Sequence, residues 1–147
     1  MNEKYMQIAL REAKSSFNLN EVPIGAVIVK DDIIIAKAHN TRNKTQNAIN
    51  HAEILAISKA CKKLKSWRLE DCDIYVTLEP CPMCAGAILN ARIKNLYFGA
   101  YDKTSKTNIL NLIMQDDRLN HKTYVKGGIL EQTCSELLTN FFKAKRK

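Results

Sequence analysis

Cys81 and Cys84 are separated by two residues in the run Glu79-Pro80-Cys81-Pro82-Met83-Cys84, and some thirty residues upstream lies Asn50-His51-Ala52-Glu53. Two thiols and an imidazole are soft or borderline ligands, and three protein ligands on a tetrahedral zinc leave one corner free for water, which is what catalysis at a metal needs. Cys-x-x-Cys alone equally marks a thioredoxin-like redox pair, half of a structural zinc site, or nothing. No second C-x-x-C completes a four-cysteine site, and Cys61 and Cys72 are spaced unlike a ligand pair. His51 by itself reads as an ordinary residue at a helix start. Glu53, three residues after Asn50, reads by itself as a helix-capping carboxylate that complements the dipole. The joint pattern favours a metal, because a redox pair would leave His51 and Glu53 without a purpose.

The elements that must position these groups follow from periodicity. Ile74, Val76 and Leu78 alternate with Tyr75 and Thr77 as in a strand, Pro80 stops the pattern, and an apolar, small-residue helix opens at the cysteines and runs to Ala91. Both thiols therefore belong to a helix N-terminus, where unpaired amides and the dipole predict a depressed pKa for each. Asn50 is the expected N-cap of a second helix with Ile54, Ile57, Cys61 and Leu64 as its apolar stripe and Lys59, Lys62 and Lys63 outside. Cys61 and Cys134 fall on apolar helix faces and read as core.

The remaining segments complete a layered fold. Met6, Ala9, Leu10, Ala13 and Phe17 form one face of a helix over Glu3–Phe17. VPIGAVIVK and IIIAKAH, joined across Lys30-Asp31-Asp32, predict a hairpin over Val22–Ala38 whose continuous apolar character implies burial on both faces. Residues 41–45 read as a basic polar loop, LYFGA as a fourth strand ending at Ala100, Ile109–Met114 as a short helix, and His121–Lys126 as a fifth strand broken by Gly127-Gly128. A last helix carries Leu130, Cys134, Leu137, Leu138 and Phe141 on one face. Helix, hairpin, then alternating helix and strand imply an α/β fold, a three-layer α/β/α sandwich around a five-stranded mixed sheet.

With 147 residues and 46% hydrophobic content, the chain suits one compact domain. No window approaches the ~20 apolar residues of a membrane span, and the N-terminal residues lack a signal-peptide core. The expectation is a cytoplasmic protein without membrane association. A net charge of +8 favours a polyanionic partner, since lysines and arginines that neutralise phosphates release counterions.

His-x-Glu at one helix start with Pro-Cys-x-x-Cys at another is the signature of the zinc deaminases of nucleobases. Beyond it, VPIGAVIV, Asn40 after the second strand, NHAEILAI, SWRLEDCDIYVTLEPCPMCAGAI, RIKNLYFGAYD and GGIL…LLTNFFKAKRK together resemble the bacterial tRNA-specific adenosine deaminases of the cytidine deaminase-like superfamily, almost end to end. The resemblance implies a single zinc-dependent deaminase domain over residues 1–147, a homodimer, that converts wobble adenosine of a tRNA anticodon stem-loop to inosine. It implies His51, Cys81 and Cys84 as ligands of one Zn²⁺ per chain and Glu53 as proton shuttle. It further implies Asn40 as hydrogen-bonding the flipped base, Asp102 as approaching the RNA backbone, and Phe141-Phe142 with the basic tail as the terminal-helix RNA contact. For Asn40 alone the default is a turn-forming residue.

Two departures stand out. Family members usually carry a glycine-containing segment after the GA-x-D motif, whereas residues 103–112 contain none. Pro82 sits where many members have valine, and Pro-Cys-Pro-Met-Cys occurs also in deaminases of free guanine. Proline at a first helical position is favourable in itself. Rival expectations are a free-base deaminase and a noncatalytic RNA-binding domain with structural zinc; an unligated Glu53 speaks against the latter.

Overall fold

The computed structural model describes residues 1–103 and 109–145. Along them run α1 (Glu3–Asn18), β1 (Gly25–Lys30), β2 (Ile33–His39), α2 (Arg42–Thr45), α3 (Ala52–Leu64), β3 (Cys72–Leu78), α4 (Pro82–Asn90), β4 (Asn95–Ala100), α5 (Ile109–Met114), β5 (Tyr124–Lys126) and α6 (Glu131–Lys145). The strands pair in the order β2-β1-β3-β4-β5, with β1 antiparallel to both neighbours and β3, β4 and β5 parallel. This is the expected five-stranded mixed sheet. The period-2 pattern of its central strands buries two faces. Ala26, Ile28, Ile74, Val76, Leu96 and Phe98 point to the layer built by α3, α4 and α5. Val27, Val29, Tyr75 and Tyr97 point to α1 and α6, where Met6, Ala9 and Cys134 meet them.

Local chemistry fixes the joints. Asp31 and Asp32 both take left-handed backbone angles, φ 51° and 59°, forming the two-residue hairpin turn whose twist matches its strands. Gly25 lets α1 lie close on β1, because a β-carbon there would strike the Ala9 carbonyl and the Ala13 amide.

Four local expectations are corrected. β2 is not buried on both faces; it is an edge strand with Ile33 61% exposed, and only β1 of the hairpin is central. The buried stripe of α3 is Ala52, Ala56 and Ala60, with Ile57, Cys61 and Leu64 packed at its margin, because only a methyl-sized face fits this close to the sheet. Residues 42–45 form a helical turn rather than a loop. The last strand spans three residues, since His121 and Thr123 use their side chains on the Ile93 carbonyl, at 2.9 and 2.8 Å, before the ladder begins. Of the glycine-free segment at 103–112, residues 104–108 lie outside the described residues, as do Arg146 and Lys147 of the basic tail.

Candidate metal centre and active site

Two helix starts face each other at the carboxyl end of β3. His51, not Asn50, is the N-cap residue of α3, and Cys81 is the N-cap residue of α4 with Pro82 behind it at the first helical position. Both caps have extended backbone and neither spends its side chain on capping. Proline stiffens the start of α4 without forfeiting a bonded amide, since the first helical N–H has no intrahelical acceptor anyway. The side chains of His51, Cys81 and Cys84 are thus left free to converge. Their ligand atoms all lie within 4.8 Å of one another, the one such grouping of histidine, cysteine or acidic donors among the described residues. His51 presents Nδ1 to both sulfurs, 3.7 Å from Cys81 Sγ and 3.6 Å from Cys84 Sγ. An imidazole with two sulfurs could hold a transition metal and suits Ca²⁺ or Mg²⁺ poorly.

The electrostatics single out Cys81 and Glu53. The Cys81 thiol is pulled down to about 5, first by the Cys84 thiol that donates to it, and then, against burial, by the amides of Cys84 and Met83 and by His51. Cys84 goes the other way: its proton is held on Cys81 and it is buried beside Glu53, so its pKa is raised. The expectation that both thiols are depressed is therefore half met, because one helix start shared by two adjacent sulfurs stabilises one negative charge first. Glu53 occupies the second helical position of α3 and is 4% exposed. Burial, the largest cause, pushes its carboxyl up to about 7, with the Cys81 charge adding to it while its own amide and the Cys84 thiol pull back. Its Oε1 has no hydrogen-bond partner among the described residues. The reciprocal capping bond expected of Glu53 does not form, since the Asn50 amide donates to the Asn47 carbonyl at 3.1 Å and the His51 amide to the Ile49 carbonyl at 2.8 Å. A buried, unpartnered carboxylate oxygen costs stability, and raised carboxyl pKa values cluster at functional sites.

Asn40 and Asp102 are brought to the same end of the sheet by bonds that the sequence did not reveal. Asn40 follows β2, is 7% exposed, and its Oδ1 accepts the Ala52 amide at 2.8 Å. The first orphan donor of α3 is satisfied this way. Asp102 lies two residues beyond β4, and its amide donates to Glu79 Oε1 at 2.9 Å while the Glu79 amide donates to the Ala100 carbonyl at 2.9 Å. Glu79 thereby ties the start of the next loop to the cysteine turn. Phe141 and Phe142 separate: Phe141 is buried against Phe17, with ring centroids 5.5 Å apart, and Phe142 is 46% exposed. Cys61 and Cys134 are free thiols; Cys134 is buried as expected and Cys61 half-buried.

The profile of the MafB19-like deaminases matches residues 1–146. A curated relative, the tRNA-specific adenosine deaminase of Bacillus subtilis (strain 168), is 48% identical over 147 residues, 99% of this chain and 91% of its own length. A solved structure from a study of A-to-I editing by tRNA:A34 deaminases at the wobble position of transfer RNA superposes with a TM-score of 0.86 at 39% identity, covering 93% of this chain and 100% of that one. A guanine deaminase structure from Bacillus subtilis reaches a TM-score of 0.65 at 43% identity over 69% of this chain and 66% of that one.

Proposed function

The chain belongs to the tRNA-specific adenosine deaminases, within the MafB19-like deaminases, and from that premise we propose that it hydrolyses adenosine to inosine, releasing ammonia, at the wobble position of tRNA anticodons. The observation that carries this is Glu53: a buried carboxylate with an unpartnered oxygen directly beside a three-donor group. A structural metal site has no use for it. The likeness to guanine deaminases is either partial, 43% identity over 69% of the chain, or nearly full-length at 22% identity, which speaks for the fold alone, whereas the Bacillus subtilis tRNA enzyme is 48% identical over 99% of the chain.

We assign His51, Cys81 and Cys84 to one Zn²⁺ per chain. Zinc ligands at about 2.3 Å for sulfur and 2.0–2.1 Å for imidazole nitrogen stand about 3.6 Å apart at tetrahedral corners, which fits the 3.7 and 3.6 Å separations of His51 Nδ1 from the two sulfurs. When bound, zinc supplies the Lewis acidity that makes water a nucleophile near neutral pH. Glu53 takes one proton from the attacking water and passes it to the ring nitrogen next to the attacked carbon, then moves the second proton from the newly attached hydroxyl to the amine, which leaves as ammonia as the C–N bond breaks and the C=O bond forms. A carboxyl raised to about 7 serves both directions of transfer. Asn40, its Oδ1 committed to α3, offers its amide hydrogens to the base. In the same reading Asp102, by the family resemblance, approaches the RNA backbone, as do Phe142 and the lysines of α6 on the terminal helix. An unstacked anticodon base can enter such a site more readily than a paired one.

Among the described residues no helix is long and apolar enough to cross a membrane. We place the protein in the cytoplasm as a single-domain homodimer; the exposed apolar Met83 of α4 and Ile109 and Leu112 of α5 are surface that a second copy would cover. The function is tested with an anticodon stem-loop carrying wobble adenosine, alongside free guanine. Inosine in the stem-loop, and unchanged guanine, is the expected result. Guanine turnover without inosine would establish the free-base enzyme instead, and RNA binding without conversion of either would leave only a binding domain.

A further inference from the structure

Between Asn40 and His51 the chain makes an excursion, residues 41–50, that contributes nothing to either core cluster. All but Thr41 and Asn50 are exposed. An excursion so exposed would ordinarily be loose, yet this one is closed and braced throughout. The Thr41 amide donates to the Asn50 carbonyl at 3.2 Å, joining the two ends. Asn50 Nδ2 donates to Thr45 Oγ1 at 2.8 Å, Thr45 Oγ1 to the Thr41 carbonyl at 2.7 Å, Gln46 Nε2 to the Asn43 carbonyl at 2.7 Å, and the Ile49 amide to Asn47 Oδ1 at 3.1 Å. It has the form of a compact surface loop with adjacent ends, a class that is often functional.

What anchors it is a buried charge. Glu21, 2% exposed in the connection from α1 to β1, accepts the Asn43 and Lys44 amides with its two carboxylate oxygens, at 3.0 and 2.6 Å. Burying a carboxylate is costly, and here it is spent on orienting an exposed turn rather than on packing. That turn carries Arg42 and Lys44, and residues 40–51 contain no acidic side chain. Two residues of chain span at most about 7 Å, so the Arg42 backbone stays beside Asn40 at the mouth of the metal centre.

We infer that residues 41–50 form a phosphate-binding rim of the active site, with Arg42 and Lys44 taking the backbone phosphates that flank the extruded nucleotide and Glu21 as the positioning residue that holds them there. This rests on the substrate being RNA, as proposed above. The two cations neutralise phosphates, and a rigid anchor makes that contact without ordering a loose loop on binding.

The test compares Arg42→Ala/Lys44→Ala with a charge-matched control at the far end of α3, Lys62→Ala/Lys63→Ala, measuring stem-loop affinity across salt concentrations and steady-state deamination. Two lost single-strand phosphate contacts should reduce the slope of log K against log salt by about 1.4, and raise KM while kcat is kept; the control should leave the slope alone. Equal slopes and equal KM for both double variants, with inosine still formed, would overturn the rim while leaving the deaminase function intact. A wild-type protein that neither binds nor deaminates the stem-loop would remove the RNA function and the rim with it. Glu21→Gln, which keeps an oxygen acceptor and loses the charge, should hold the slope closer to wild type than Glu21→Ala does; indistinguishable slopes for the two would refute the positioning of the cations by Glu21.

Discussion

Two glutamates are almost equally buried, Glu21 at 2% exposure and Glu53 at 4%, yet they are used in opposite ways. Both carboxylate oxygens of Glu21 receive backbone amides. Glu53 Oε1 receives nothing among the described residues, and its carboxyl is raised to about 7 by burial. A carboxylate whose acceptors are filled fixes backbone; in the proposed mechanism, one left unfilled beside converging donors is kept available for protons. Burial alone does not separate structure from chemistry, and partner count does.

Changes at the two carboxylates should therefore fail in different currencies. The largest effect expected is on turnover: Glu53→Ala should lower kcat on the stem-loop by about 10²–10⁴-fold, measured by inosine formation. A fall of less than about tenfold would make Glu53 resemble Glu21 and dissolve the contrast. Cys81→Ala should reduce metal from about one zinc per chain to a small fraction, by elemental analysis of the purified protein, because a site with two protein ligands holds the ion far more weakly. Full retention would contradict the donor assignment. Glu21→Ala should cost about 1–3 kcal/mol of unfolding free energy in a urea titration, since charge-assisted bonds to two amides disappear. Glu53→Ala should be neutral or stabilising in the same titration. Asn40→Ala, which removes the acceptor for the first α3 amide, should cost about 1 kcal/mol and also raise KM; a KM change without loss of stability would assign Asn40 to the base alone.

The same distinction explains what the sequence disclosed. The convergence of His51, Cys81 and Cys84 was legible because a group able to hold a metal needs particular residue types at constrained spacing, and strand alternation through Ile74–Leu78 placed the cysteine turn. The layered fold followed from helix and strand periods. The partners that fix geometry were not legible. Asn40 Oδ1 on the Ala52 amide, Glu79 on the Asp102 amide and Glu21 on the Asn43 and Lys44 amides join side chains to backbone that any residue could supply, over separations of 12 to 23 positions. Side-chain size misled at α3, where Ile54 and Ile57 suggested the core stripe and alanines fill it, because the helix lies too near the sheet for larger groups. At the hairpin, apolar content could not tell β1 from its edge partner, since strand order depends on where β3 docks. The single lowered thiol was hidden because the cysteines share one helix start and one proton.

The most direct test of the central claim measures two quantities on one variant. Glu53→Gln preserves the shape of the side chain and removes its capacity to carry protons. The account predicts zinc near one per chain, as in the wild-type protein, and inosine formation reduced by at least about 10²-fold. Inosine formed at the wild-type rate by that zinc-loaded variant would show that the unpartnered carboxylate is not the proton carrier.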